Sequence, residues 1–582
     1  MNWDLTKLYS SFDDPKLEAD LTGIFDDIAE ANAFLDNAAP DKAGIEGVLA
    51  RLEALTSKEM RFGLFIQMTL AVDATNKDAL VRYDRLMRAE MERQKISSRA
   101  MRLAGGIEDL DALAKESEKI ADSKFCLAEM MESYRHLIDP ALEDTVLEMQ
   151  MNGASAWEQL RDKLDAGLMI EVPGEEKKLP LSAVRGMAYL ADAEKRRAAY
   201  EAEIAAYPQI ETPMAACLNG IKGEALTMCK LRSYDSVLDW ALFISRMDKE
   251  TLDAMMTAMR ESLPDFRRYF RLKAKALGYE GGLKFYDLFA PLGASEKTYT
   301  LEEAREKLVT VMGGFSDKMA KFIDNAFENR WIDAFPRQGK SGGAFCAGAH
   351  MIGQSFVMTN FDGSLSSVST IAHELGHAYH NSCVQNETIL NAEYPMPLAE
   401  TASIFNETLL SRILLKDADE NEKLALLDQS VSDAAQVIVD IMSRFLFEQE
   451  VVERRKDHQM SAAELKEIML DAQDKTYGDG LDENCRHPYM WACKSHYYSK
   501  DVHFYNFPYA FGQLFGLGVY AKYAEMGDAF IPEYDKLLNL TGKANVVEVG
   551  RAAGIDVHDV NFWRSSLDVV RGQIEEMAKI IG

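Results

Sequence analysis

One pattern runs through most of this chain: apolar residues recur three and four positions apart, charged residues fill the gaps, and few glycines or prolines interrupt. It is visible over Leu49–Met60, Lys77–Leu103 and Met130–Asp165, resumes over Asp192–Leu231 and Asp248–Leu277, and returns beyond residue 362. Residues spaced in this way share one face of a helix, so each stretch predicts a helix that buries one side. With 36 Gly and 15 Pro in 582 residues, turn punctuation is too sparse for a chain built mainly of strands. The expected fold class is mostly α. Asp14-Pro15, Pro40-Asp41 and Asp139-Pro140 signal turns, and breaks are expected at Pro208 and Pro213. Residues 168–181 hold Val172-Pro173-Gly174 and predict a small β-hairpin. No fixed period recurs, which argues against a solenoid.

The zone from Gly278 to Asp362 is looser. It contains a Gly-rich stretch at 339–350 and then a β-prone run from Gln354 to the Asp362-Gly363 turn. Irregular segments inside a helical scaffold are where function is expected. Charge narrows the class of partner. Lys and Arg number 65 against 94 Asp and Glu, a net charge of −29, and so acidic a surface repels nucleic acid and anionic membranes. The one notable basic run, Phe266–Ala276, reads as a solvated helix face. Seven cysteines, odd in number and without a CxxC pair, read as reduced thiols of a cytoplasmic protein. The N-terminal sequence has no signal-peptide pattern, and no apolar run approaches the ~20 residues that span a bilayer.

The sharpest chemical signal is His373-Glu374-Leu375-Gly376-His377, an H-E-x-x-H motif. On a helix the two imidazoles lie on one face and can hold one metal ion, while Glu374 can serve as general base toward water. Ser364 and its neighbours supply N-cap candidates, and Val368, Ile371 and Ala372 an apolar face. Chance would produce such a motif in roughly one or two chains per hundred of this histidine content. A third ligand is needed. His380 lies too far along the helix, and Cys383 stands where a metzincin would have its third His. Glu400, among small and apolar residues after Pro395-Met396-Pro397, fits a His₂Glu set, and Glu407, seven residues on, is placed to accept an N–H from a ligating imidazole. Each could equally be a surface carboxylate. A second constellation, Tyr489 to Tyr509, holds five tyrosines and two histidines, His496 and His503. These could donate hydrogen bonds to a developing oxyanion or form an aromatic core.

Taken together, Asn360–His380, Ala399–Glu407 and Tyr505–Gly512, with weaker support from Ser341–Cys346 and Tyr134–Leu160, resemble the oligoendopeptidase F branch of the thimet-oligopeptidase-like zinc metallopeptidases. The resemblance implies a multi-helix ellipsoid with a deep central channel and a small β element beside the metal helix. It implies an N-terminal helical lobe over 1–190 and a catalytic domain over 191–582. It further implies one zinc ion held by His373, His377 and Glu400, with Glu374 activating water. The family's carbonyl-polarising and substrate-holding residues fall on His496, Tyr505 and Tyr509, with His503 a competitor for His496. Gly342-Gly343 and the run at 354–361 correspond to a Gly-rich loop and an edge strand that pair with substrate backbone. The expected function is zinc-dependent cleavage of internal bonds in short oligopeptides. The alternatives are a zinc carboxypeptidase or dipeptidyl carboxypeptidase on a similar scaffold, and a non-catalytic peptide-binding protein.

Overall fold

Several of the turn signals are helix starts. Asp14 and Asp139 are N-caps whose carboxylates accept from Lys16 N and Ala141 N, each at 2.9 Å, with Pro15 and Pro140 as the first helical residues. Asp41 caps the next helix by accepting from Gly44 N. An acidic cap satisfies an amide that the helix leaves unpaired, and proline has no amide to lose there. The structure, a computed structural model, describes residues 1–293 and 297–582. About 71% of it is helical, so the mostly-α expectation holds. Contacts divide the chain into two compact units, each assembled from three segments. The expected division at residue 190 is not one of their boundaries.

The first unit comprises Met1–Leu137, Lys297–Ile413 and Lys522–Gly554. Three long helices, Pro15–Leu35, Lys42–Val72 and Lys77–Ala104, pack on one another. Their core includes Leu21, Ile24, Phe62, Ile66 and Ile96, and it continues into a small sheet through Phe356 and Met358. That sheet has three strands in the order Ile332–Asp333, Gln354–Met358, Phe345–Ala349. The β-prone run is therefore the central strand, parallel to the first and antiparallel to the last. This corrects the expectation of an edge strand at 354–361. All five residues of Gln354–Met358 are buried, so both faces are covered, as suits a middle strand, and the edge falls to Phe345–Ala349. Side chains alternate across the central strand: Phe356 and Met358 enter the core of the long helices, whereas Ser355 Oγ accepts from Asn381 Nδ2 of the helix Leu365–Cys383 at 3.1 Å.

The second unit comprises Ile138–Glu296, Leu414–Ala521 and Ile555–Gly582. Helix Lys249–Ala276 packs on Val560–Ile581, Ala154–Gly167 on Glu211–Leu231, and Ile441–Arg455 on Ala462–Tyr477. The hairpin expected at 168–181 is a two-residue antiparallel pair, Met169–Ile170 with Leu179–Pro180. Pro208 does break the helix, within a 3₁₀ turn, whereas Pro213 sits in the first turn of Glu211–Leu231, where its missing N–H is harmless. The stretch Met130–Asp165 runs through three helices, with one break before the expected turn at Asp139-Pro140 and a second, not signalled, at Gly153. All seven cysteines are free, and among the described residues no helix is long and apolar enough to cross a membrane.

The basic run at 266–276 is only partly a solvated face. Lys273 is buried, and its ammonium lies 3.1 and 3.0 Å from the two oxygens of Asp428. Asp428 also accepts from Tyr269 Oη and Leu292 N. Burial pushes the Lys273 pKa down, and the Asp428 charge opposes that. Removing the carboxylate leaves a buried cation uncompensated. Asp428→Ala is expected to cost about 3–5 kcal/mol in chemical unfolding, and Lys273→Met/Asp428→Leu much less, because both charges then leave together.

Candidate functional site

The helix Leu365–Cys383 begins at Ser364, whose hydroxyl accepts from Ser367 N at 3.1 Å after Gly363, a residue at φ +85°. Val368, Ile371, Ala372, Leu375 and Ala378 bury one side. His373 and His377, one turn apart, project their Nε2 atoms to within 3.2 Å of each other. Each ring is held from behind. His377 Nδ1 lies 3.1 Å from the Ala399 carbonyl and His373 Nδ1 lies 3.2 Å from Glu407 Oε1. A carbonyl only accepts, so His377 Nδ1 carries the proton and its Nε2 presents a lone pair. Glu400 completes the group: its Oε2 is 3.3 Å from His373 Nε2 and 3.5 Å from His377 Nε2, and it accepts from Ser403 Oγ at 2.8 Å. Glu400 stands at the joint between a short turn, Met396–Ala399, and the helix Thr401–Asp417. The ligand atoms of His373, His377 and Glu400 all lie within 4.8 Å of one another, a set that could hold a metal ion. Two imidazole nitrogens and one carboxylate, with second partners fixing both rings, suit zinc.

Two backbones must come close for this to happen. A Cβ on Gly376 would lie 2.6 Å from both the Ala402 carbonyl oxygen and Ser403 Cα. Asn406 Nδ2 ties the same pair of helices by donating to the Ala372 carbonyl at 3.2 Å. His380, set aside in the sequence, faces elsewhere: it is buried, its Nε2 is 2.8 Å from Thr541 Oγ1, and its ring stacks on Tyr394. Burial holds its pKa down at about 3.

Glu374 is 6% exposed, and its Oε2 is a buried oxygen with no hydrogen-bond partner among the described residues. Burial pushes its carboxyl up to about 7; His373 opposes the rise, and the charges of Glu400 and Glu407 add to it. Glu400 behaves in the opposite way. Burial would raise it, but the His373 hydrogen bond and the His377 charge bring it down to about 2. Neighbouring carboxylates are thus differentiated by what faces them.

The tyrosine-rich constellation separates into two parts. Tyr489, Tyr497 and Tyr498 are core residues of the second unit. His496, Tyr505 and Tyr509 are partly exposed and form one aromatic cluster: His496 stacks on Tyr505 at 5.1 Å, while Tyr509 meets Tyr505 edge-on at 5.4 Å and His496 at 6.2 Å. Burial, followed by Arg444 and Lys494, lowers the His496 pKa to about 4, so the ring is neutral at neutral pH. His503, the competitor, is 4% exposed and packs edge-on against Trp240. Ser403, which orients Glu400, was not anticipated. Its position three residues after Glu400, on the same helix face, was the available signal.

Comparison with known proteins agrees with the resemblance read from the motifs. The model of Peptidase family M3 matches residues 186–569, more than half of the chain, and the chain belongs to that family. The Oligoendopeptidase F homolog of Lactococcus lactis subsp. lactis (strain IL1403) is 29% identical over 391 residues, which cover 66% of this chain and 64% of that protein. The match thus spans just under two thirds of that relative's length. A crystal structure from Chlamydophila abortus superposes with a TM-score of 0.84 at 21% identity, covering 100% of this chain and 98% of the other. Oligoendopeptidase-F from Enterococcus faecium gives 0.73 at 17%, covering 97% and 99%. At these identities the structural likeness speaks for the fold.

Alanine usually strengthens a helix interior relative to glycine. At position 376 the reverse is expected: Gly376→Ala should destabilise by about 1–3 kcal/mol through overpacking, read as a lower unfolding midpoint.

Proposed function

We propose that the chain is a zinc-dependent endopeptidase that hydrolyses internal bonds of short oligopeptides. The observation that carries this reading is the convergence of His373, His377 and Glu400 within 4.8 Å, together with Glu374 on the histidine helix, whose Oε2 is buried and has no hydrogen-bond partner among the described residues. Membership of Peptidase family M3 supports it, as do relatives named as oligoendopeptidases. His373, His377 and Glu400 would hold the ion. When bound, zinc supplies Lewis acidity, which makes water more acidic and polarises a carbonyl.

The remaining chemistry belongs to the protein. Glu374 takes a proton from the attacking water and returns it to the leaving amine, the role of a general base that becomes a general acid. Glu407 and the Ala399 carbonyl keep the two imidazoles in register. His496, neutral at working pH, and the hydroxyls of Tyr505 and Tyr509 are assigned the donor role toward the carbonyl oxygen as it gains charge. The one-sided edge of Phe345–Ala349 offers amide and carbonyl groups to an extended peptide. Free thiols at all seven cysteines support a place in the reducing cytoplasm.

The test is digestion of a short internally quenched peptide with products identified by mass. Internal cleavage should be lost with a chelator and return with zinc. Glu374→Gln should lower kcat by about 10²–10⁴-fold while metal content stays the same. Trimming confined to the peptide C-terminus would favour the carboxypeptidase alternative, and peptide binding without any turnover the binding protein. Glu407→Ala should weaken zinc by about 10–100-fold in competition with a chromogenic chelator, with little change in unfolding midpoint.

A further inference from the structure

The loop that carries Tyr505 has an unusual support. Phe504 adopts φ +52°, a left-handed conformation that a bulky side chain normally avoids. Such a conformation persists only where the surroundings over-determine it. Here one carboxylate does so. Glu448, on helix Ile441–Arg455, is 1% exposed. Its Oε1 accepts from Phe504 N at 3.0 Å and its Oε2 from Asn506 Nδ2, also at 3.0 Å. The two residues flanking Tyr505 are therefore gripped by the two oxygens of one side chain. Asn506 passes the constraint on: its Oδ1 accepts from Phe507 N and its carbonyl from Tyr509 N, opening the helix that bears Tyr509. Phe445, one turn before Glu448, packs its ring against Phe504 at 5.4 Å and Phe507 at 6.5 Å.

The charge is balanced by a second buried group. Lys222, fully buried on helix Glu211–Leu231, donates to Glu448 Oε1 at 2.6 Å and lies 3.4 Å from His503 Nδ1. Burying an ion pair contributes little net stability, and well-packed apolar residues would often do better. What the pair supplies is direction: a carboxylate locked by a lysine can accept from a backbone amide and a side-chain amide at fixed angles. His503 belongs to this support, wedged between Lys222 and Trp240.

We propose that Glu448, held by Lys222, is a positioning residue that sets Tyr505 for the reaction. The inference rests on the proposed peptidase reading for its kinetic consequence, and on geometry alone for its structural one. The experiment compares wild type, Glu448→Gln, Tyr505→Phe and the Glu448→Gln/Tyr505→Phe combination on the internally quenched peptide, with amide hydrogen exchange over residues 499–509. Glu448→Gln should lower kcat by about 100-fold through misplacement of Tyr505, with KM within about twofold, and should speed exchange at 504–507. In the Tyr505→Phe background the same change should cost no more than about threefold, because it acts through that residue. Should Glu448→Gln fail to fold, Lys222→Met/Glu448→Gln removes both charges together and carries the same expectations. An unchanged kcat, or a loss equally large without the Tyr505 hydroxyl, overturns the proposal. If the wild type cleaves no peptide, the peptidase reading falls by itself. Exchange then decides the positioning: faster exchange at 504–507 upholds it, and unchanged protection overturns it.

Discussion

Everything at the candidate metal centre depends on two helix backbones approaching at Gly376. The imidazoles come from one helix and the carboxylate from the start of another, so their convergence is set by the distance between the two axes. With Ala402 O and Ser403 Cα at 2.6 Å from where a Cβ would stand, that distance is smaller than any side chain at 376 permits. The Asn406 bond to the Ala372 carbonyl pins the same contact one turn away. The x-x of the motif is thus not free. One of its two positions buries Leu375 in the core, and the other must have no side chain at all.

Once the helices are fixed, the carboxylates are told apart by their partners. Glu400 and Glu407 both face imidazole nitrogens, and Glu400 is kept ionised by that contact. Glu374, between the two histidines in sequence, points to a position where burial is not compensated. Glu374 and Glu400 thereby acquire different affinities for a proton. The division follows from geometry: a residue directly after a ligand on a helix is turned about 100° from it and cannot share its partners.

How much of this was legible in the sequence follows the range of each interaction. Helix existence, the Ser364 cap, the metal-type spacing of His373 and His377 and the i, i+7 relation of Glu400 to Glu407 are local, and periodicity or spacing expresses them directly. The strand order was not legible. The run at 354–358 reads as β from its residues, but whether it is central or an edge depends on Ile332–Asp333, two residues with no signal of their own. The basic run misled for the same reason: its helix face is real, yet Asp428, more than a hundred residues away, draws Lys273 inside. Composition marked Tyr489–Tyr509 as a cluster without telling core tyrosines from exposed ones, because that sorting is made by helices far off in the chain.

The two sets of candidate side chains are held by different means, and the difference has a physical reason. His373 and His377 need only a helix, because a metal ion asks for two nitrogens one turn apart and the helix repeat supplies that spacing. A donor aimed at a charge that exists only in the transition state must be fixed in direction as well as position, and must not collapse onto a neighbour beforehand. Regular structure offers few such directions. The chain instead bends at Phe504 into a conformation no strand or helix contains, and the cost of that bend requires a strong, directional partner. A buried carboxylate is such a partner, but it cannot be buried alone, which is why Lys222 stands behind Glu448. The Lys222–Glu448 pair is therefore a consequence of the bent loop, just as the bare glycine at 376 is a consequence of the crossed helices.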